Sequence, residues 1–137
     1  MCRVLFLLFL LCLMAVTVVA QDPVQVDSQH YKVEFENDQM RVVRVTLGPN
    51  EKSVMHGHPN GGCVIQITDE HTKHTDPAGK ATITRGKAGT FSCDNRGGTY
   101  RHLPENLSDQ RLELLLVEMK NKPAVTPTRS RRRDRRR

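Results

Sequence analysis

The chain has 137 residues, of which 37% are hydrophobic and 4% aromatic, and it carries 21 Lys and Arg against 15 Asp and Glu. A chain of this length can bury one small core and not two, which excludes a protein of several large domains. The formal net charge is +6, yet seven arginines and one aspartate in residues 129–137 account for a charge of +6 by themselves. Residues 21–128 hold 13 basic and 14 acidic side chains, so the part expected to fold is close to neutral.

Residues 1–20 have the pattern of a signal peptide. Arg3 forms a short basic region, the segment 4–15 is almost wholly apolar, and Ala20 ends a run of small residues before Gln21. We therefore expect a protein exported to the periplasm or secreted, with cleavage before Gln21. The alternative is an uncleaved N-terminal membrane anchor, because the apolar run is only just shorter than the roughly 20 residues that span a bilayer.

Residues 123–137 are expected to form a disordered, arginine-rich tail. Such a tail is either a solvated appendage or a segment that contacts polyanions or a membrane surface by releasing counterions. No aromatic residues interleave with the arginines, so no specific binding of nucleic acid is expected.

Residues 21–122 are expected to form a single domain built from short strands. Its β-branched runs are separated by turns rich in Gly, Pro, Asn and Asp, and no long helical period interrupts them. In chain order the predicted strands cover residues 30–36, 40–47, a segment around residue 56, and residues 63–68, 69–73, 81–85, 90–93, 99–102 and 111–120. The pattern predicts an all-β sandwich or small barrel of antiparallel strands, with little or no helix outside the signal peptide.

Alternation indicates which side chains share a face of these strands. In the first strand Tyr31, Val33 and Phe35 alternate with polar neighbours. In the second strand Val43, Val45 and Leu47 lie on one face.

Two histidines two residues apart mark the first candidate site. His56 and His58 stand in a stretch that is predicted to be extended, so their side chains lie on the same face. Such a pair is either half of a metal site inside a barrel or two exposed residues of an edge strand. His71 and His74 are expected in a solvated hairpin tip, and His30 is expected to open a strand away from any metal.

The glycine and histidine spacing resembles the two motifs of the cupin superfamily. Gly48 and the HxH of residues 56–58 are similar to the first motif. Gly89, Gly97 and the His102-to-Asn106 spacing are similar to the second. The likeness is greatest to small bacterial single-domain cupins, the cupin type-2 conserved barrel. It implies a double-stranded β-helix, the jelly-roll barrel of that family.

The resemblance implies a metal centre of His56, His58 and His102. The glutamate of the first motif would fall at residue 62 or 63, where this chain has Gly and Cys. The PxG of the second motif is replaced by Asn-Arg-Gly at 95–97, with extra residues before His102. These departures leave open whether Tyr100 stands in the place of the third histidine.

The implied function is binding of a divalent metal ion and action on a small polar molecule. Three neutral imidazoles leave coordination positions open, and they admit Fe, Mn, Ni, Cu or Zn. The reaction would be dioxygenase-like or otherwise oxidoreductive, or isomerase-like, with the substrate unknown. The alternative is a metal-free cupin that binds a small ligand or serves as a structural or interaction module. A homodimer is also compatible with the resemblance.

The same resemblance allows two different roles for Cys63. Its spacing from the HxH is similar to that of thiol dioxygenases, in which a cysteine cross-links to a tyrosine near the metal. In the cupin topology, however, Cys63 and Cys93 would lie on adjacent strands, and we expect a disulfide between them in an exported protein. Ile65 and Phe91 are expected to share the inward face of these cysteines. The residues expected to border the pocket are Cys63, Gln66 and Tyr100.

Overall fold

The computed structural model describes residues 21–94 and 100–120, which form two antiparallel β-sheets and one short helix. The predicted signal peptide, the tail at 123–137 and the Asn-Arg-Gly at 95–97 lie outside the described residues. Within the described part of the chain, no helix has the length and hydrophobicity needed to cross a bilayer.

The helix and the strands follow one another closely along the chain. Helix α1 spans Pro23–Val26, and the side chain of Asp22 caps it by accepting a hydrogen bond from the Val24 amide at 3.1 Å. The strands are β1 (Tyr31–Glu36), β2 (Met40–Leu47), β3 (His56–Gly57), β4 (Gly62–Gln66), β5 (Glu70–Thr75), β6 (Ala81–Gly86), β7 (Phe91–Asp94), β8 (Arg101–Asn106) and β9 (Leu112–Met119).

The strands divide into a five-stranded sheet and a four-stranded sheet. The first has the order β1-β2-β9-β4-β7, and the second has the order β3-β8-β5-β6. Strand β9 lies between β2 and β4, although it is the last of the described strands in the sequence. The all-β prediction is therefore confirmed, and the hairpin predicted between 69–73 and 81–85 is the β5–β6 pair.

The core lies on the inner face of the five-stranded sheet. In β2, Val43, Val45 and Leu47 are exposed by only 0%, 4% and 1%, so the face that these alternating residues share is the buried one. Leu112 and Leu114 of the neighbouring strand β9 pack into the same cluster. The repeated alternation of two adjacent strands thus builds one continuous apolar surface.

The alternating apolar face of β1 is buried only at its first residue. Tyr31 is buried, but Val33 and Phe35 are 40% and 50% exposed. The pairing of β1 with β2 shifts between Val33 and Phe35, as at a β-bulge, and β1 is an edge strand. All five residues of β1 after Tyr31 are exposed, so neither face of the strand is buried there, which period-two counting cannot anticipate.

The predicted inner face of β4 and β7 is wrong. Val64 and Gln66 border the interior cavity, so Cys63 and Ile65 belong to the opposite face of β4. On β7, Phe91 is 74% exposed. Either of the two alternating sets of side chains could face inward in a strand, and only packing decides which set does.

Two strands that bear histidines differ in extent from the prediction. Strand β3 contains only His56 and Gly57, so His58 follows the strand. Strand β8 begins at Arg101 and ends at Asn106, whereas the expected strand ended at His102. The whole His102-to-Asn106 segment is therefore extended, and both of these residues are buried.

Candidate metal centre

Strand pairing brings the first two histidines together. His56 of β3 lies directly opposite His102 of β8 in the antiparallel register. Side chains of directly opposed residues project to the same side of a sheet, so the two rings meet although they are 46 residues apart. Their Nε2 atoms are 3.1 Å apart, and His56 is completely buried.

His58 completes a group of three. Its Nε2 lies 3.3 Å from Nε2 of His102, and the candidate ligand atoms of the three residues all lie within 4.8 Å of one another. Tyr100 does not replace the third histidine. Its hydroxyl is instead 3.2 Å from Nδ1 of His102, on the far side of that ring.

The outward nitrogen of each ring has a partner that orients the ring. Nδ1 of His56 donates a hydrogen bond to the Val54 carbonyl at 2.8 Å, so Nε2 of the same ring carries a lone pair. Nδ1 of His58 is 3.2 Å from Oε1 of Glu118. Such partners fix the tautomer of a ligating imidazole and increase its basicity.

Burial, together with the neighbouring His58, lowers the pKa of His56 from 6.5 to about 4. His56 is therefore neutral at physiological pH, which is the state in which an imidazole can bind a metal.

Two of the separations among the three rings suit a shared divalent cation. With metal–nitrogen bonds of about 2.0 to 2.1 Å and angles between octahedral and tetrahedral values, ligand nitrogens lie roughly 2.9 to 3.4 Å apart. The separations of 3.1 and 3.3 Å from Nε2 of His102 fall in that range. The same separations are also of hydrogen-bond length, so in the metal-free protein an Nε2–H group of one ring can donate to Nε2 of the next. The three side chains therefore can hold a metal ion, with further coordination positions left for other ligands.

A carboxylate ligand at residue 62 is sterically impossible. A Cβ atom on Gly62 would lie 2.0 Å from the carbonyl oxygen of Val117 in the adjacent strand. The carboxylate of Glu118 instead contacts His58 and also binds Arg41, with Nη2 at 2.6 Å from Oε2. The carboxylate of Glu118 thus contacts Nδ1 of His58, the ring nitrogen that is not the candidate ligand atom.

Sequence reasoning missed Glu118 and His74. Glu118 is 3% exposed and continues the Leu112, Leu114, Leu116 alternation of β9, so a charge on an otherwise apolar face was the available signal. His74 was expected in a solvated tip, but its ring stacks on that of His102 with centroids 4.9 Å apart.

The other expected residues take separate positions. His30 lies away from the three-histidine group, where its Nδ1 is 2.7 Å from Oδ1 of Asp27. The sulfur atoms of Cys63 and Cys93 are 2.07 Å apart, the separation of a disulfide bond. Cys63 therefore pairs with a cysteine and not with Tyr100.

A cavity of about 210 Å³ opens beside the three histidines. His58, His102 and Tyr100 border it on one side, and Gln66 also lines it. Leucines of β9 form an apolar part of its wall. Cys63 borders a smaller cavity of about 130 Å³ next to His58. His58 and His102 thus border a space that can admit a small molecule.

Solved structures contain the same arrangement of strands. A cupin domain from Bordetella pertussis is similar with a TM-score of 0.60 and 20% identity, over 66% of this chain and 92% of that one. The cupin domain of Cnp3 from Schizosaccharomyces pombe is similar with a TM-score of 0.50 and 13% identity, over 66% of this chain and 60% of that one. No protein-family model and no curated protein matches the sequence. The chain therefore has the cupin fold, a double-stranded β-helix in its small, single-domain form.

Proposed function

We propose that this protein is an exported cupin that binds one divalent metal ion and acts on a small polar molecule in the adjoining cavity. The ligands are Nε2 of His56, His58 and His102. The observation that carries the proposal is the convergence of these nitrogens, with Nε2 of His102 at 3.1 and 3.3 Å from the other two. Iron, manganese, nickel, copper and zinc all suit three imidazoles.

The open coordination positions favour catalysis over a purely structural role. A bound metal would supply a Lewis acid beside the cavity, which suits a dioxygenase-like or other oxidoreductive reaction or an isomerisation. Tyr100 and His74 border the same cavity, where the tyrosine hydroxyl and the imidazole can hold or donate a proton.

Contacts of the first described residues agree with cleavage before Gln21. The carbonyl of Gln21 accepts a hydrogen bond from the Gly57 amide at 3.0 Å, between the two histidines of the first motif. The side chain of Asp22 binds Arg41 at 2.6 Å. Removal of residues 1–20 would leave both contacts in place.

The rival function is a metal-free cupin that binds a small ligand without catalysis. The blocked position at Gly62 favours it, because a carboxylate ligand cannot enter there. The cavity exists with or without a metal, so a binding module could use the same space.

Elemental analysis of the protein, purified without a histidine tag, separates the two functions. We expect about one metal ion per chain in the wild type and none in His56→Ala. His71→Ala is the matched control, because His71 belongs to the face of β5 opposite His74 and should leave the metal content unchanged. Thermal unfolding establishes that each variant is folded. A folded wild type that takes up no metal from any of the five salts would refute the metal centre and support the rival.

A further inference from the structure

One wall of the cavity includes three polar side chains. Gln66 ends β4, and its Nε2 donates a hydrogen bond to Oε2 of Glu70 in β5. Thr72 follows Glu70 on the same face of β5, and all three residues line the cavity of about 210 Å³. We call Gln66, Glu70 and Thr72 the acceptor wall.

Two atoms of the acceptor wall are buried without a hydrogen-bond partner. Thr72 is only 1% exposed and Gln66 only 7%, yet Oγ1 of Thr72 and Oε1 of Gln66 have no partner among the described residues. Buried polar atoms are nearly always paired, because an unmade hydrogen bond in a dry interior is costly. Both atoms lie in residues that line a cavity, so their missing partner is expected to come from a molecule within it.

The charge of the side chains that line the cavity favours a cationic ligand group over an anionic one. No lysine or arginine lines this cavity in the part of the chain that the structure describes, whereas Glu70 and Asp94 bring carboxylates. Glu70 is 8% exposed, and its nearest basic neighbour is the His74 ring, with Nε2 at 3.7 Å. A ligand group that is cationic and donates several hydrogen bonds complements this wall, and an anionic group does not.

We propose that the acceptor wall binds the primary ammonium group of a small amine. The three N–H donors of such a group match Oε1 of Gln66, the carboxylate of Glu70 and Oγ1 of Thr72. The other end of the ligand carries an oxygen that reaches the three-histidine centre, and this half of the inference rests on the proposed function. A cavity of about 210 Å³ has the volume of about seven waters, so the amine has only a few carbon atoms.

A pair of probes that differ in a single group tests the ammonium site. Ethanolamine and ethylene glycol have the same length, but only ethanolamine carries an ammonium group at neutral pH. We expect ethanolamine to cause saturable shifts of the amide NMR signals of residues 66, 70 and 72, and to bind at least about tenfold more tightly than ethylene glycol. Equal affinities, or no saturable shift with either probe, would overturn the proposal.

Two substitutions locate the site. Glu70→Gln keeps the shape of the side chain and should weaken ethanolamine binding by about tenfold. Glu36→Gln removes an exposed carboxylate that pairs with Lys120 outside the cavity, and it should leave binding unchanged. An affinity for ethanolamine that is the same in Glu70→Gln as in the wild type would also overturn the proposal.

Thr72→Val distinguishes a ligand site from a structural one. The substitution removes the unpaired hydroxyl at nearly constant volume, so we expect the ligand-free protein to melt at the same or a higher temperature while ethanolamine binds more weakly. A lower melting temperature with unchanged ethanolamine binding would show that the hydroxyl serves the fold alone.

The titration is run on the protein with and without each of the five metal salts, so that the two proposals can fail separately. Ethanolamine binding in a protein that takes up none of the five metals would refute the metal centre and keep the ammonium site. Metal uptake without any response to ethanolamine would refute the ammonium site and leave the metal centre standing.

Discussion

His56 is the most constrained of the three candidate ligands. It is completely buried, its Nδ1 is committed to the Val54 carbonyl, and its ring meets that of Tyr31 edge to face at 4.9 Å. A buried ring with these two contacts cannot turn its Nε2 away from His58 and His102. The cost of burying that nitrogen is lowered when a metal ion accepts its lone pair.

The lowered pKa of His56 predicts that the metal-free protein becomes less stable in acid. In the unfolded chain His56 binds a proton near its ordinary pKa of 6.5, whereas the folded state binds it only near pH 4. The unfolded state therefore holds more protons between these values, and the free energy of unfolding falls as the pH is lowered through this window. The loss attributable to this group is up to about 3 kcal/mol.

Urea unfolding of the wild type and His56→Gln at several pH values measures this effect. The glutamine does not titrate, so its free energy of unfolding should decrease less steeply from pH 6.5 to 4. Parallel curves for the two proteins would show that His56 is not held neutral by the fold.

At the scale of elements, the segment before β1 is coupled to the metal centre through charged side chains. Asp22 contacts Arg41 of β2, Arg41 contacts Glu118 of β9, and Glu118 contacts His58. Arg41 and Glu118 are 8% and 3% exposed, so the dry surroundings strengthen this chain of charges. The N-terminal segment thus helps to orient a candidate ligand that it does not touch.

Substitutions along this chain should weaken metal binding in a graded way. Glu118→Gln removes the charge behind His58, and we expect about 10- to 100-fold weaker binding. Asp22→Asn should have a smaller effect in the same direction, since asparagine still caps α1 and only the ion pair with Arg41 is lost. Competition with a chromophoric chelator measures the affinities.

Glu36→Gln serves as the control for surface charge in this series. If Asp22→Asn binds metal as tightly as Glu36→Gln, the network has no influence on the centre.

The pair of strands β4 and β7 carries the disulfide. Cys63 lies directly opposite Cys93 in the register, and the bridge closes a loop with a sequence separation of 30 residues. Strand β7 is an edge strand whose ladder pairs only with β4, so the cross-link secures the least supported strand of the five-stranded sheet.

Reduction should lower the free energy of unfolding by roughly 3 to 4 kcal/mol in the chain-entropy account of a loop this long. Urea unfolding with and without reductant checks this value, and Cys63→Ser with Cys93→Ser in one chain should reproduce the reduced curve. A double variant as stable as the oxidised wild type would contradict the prediction.

At the scale of the whole molecule, the fold closes by joining distant segments. Strand β9 pairs with β2 along eight residue pairs and also with β4, so the last described strand holds the first half of the sheet together. The three histidines stand on or next to β3 and β8, which are far apart in the sequence, so they meet only once these two strands of the four-stranded sheet have paired. Metal binding and folding are therefore expected to be linked.

The proposed export predicts the first residue and the mass of the purified protein. Cleavage before Gln21 in an oxidising compartment yields a chain that begins at Gln21 and lacks two hydrogens relative to the reduced form. Intact-mass measurement before and after reduction should show a difference of about 2 Da from the single disulfide. A mass that retains residues 1–20 would support a membrane anchor instead.

The sequence by itself determined the β class, the common face of Val43, Val45 and Leu47 and the histidine pair, because each follows from period-two alternation within one short stretch. Motif spacing led to the cupin fold and to His102 as the third candidate ligand. Only the tertiary structure decided that His74 stacks on His102 and that Glu118 supports His58, since these contacts join separate strands. It also decided that β1 beyond Tyr31 and all of β7 are exposed. Both are edge strands, and burial at the edge of a sheet depends on what packs against it.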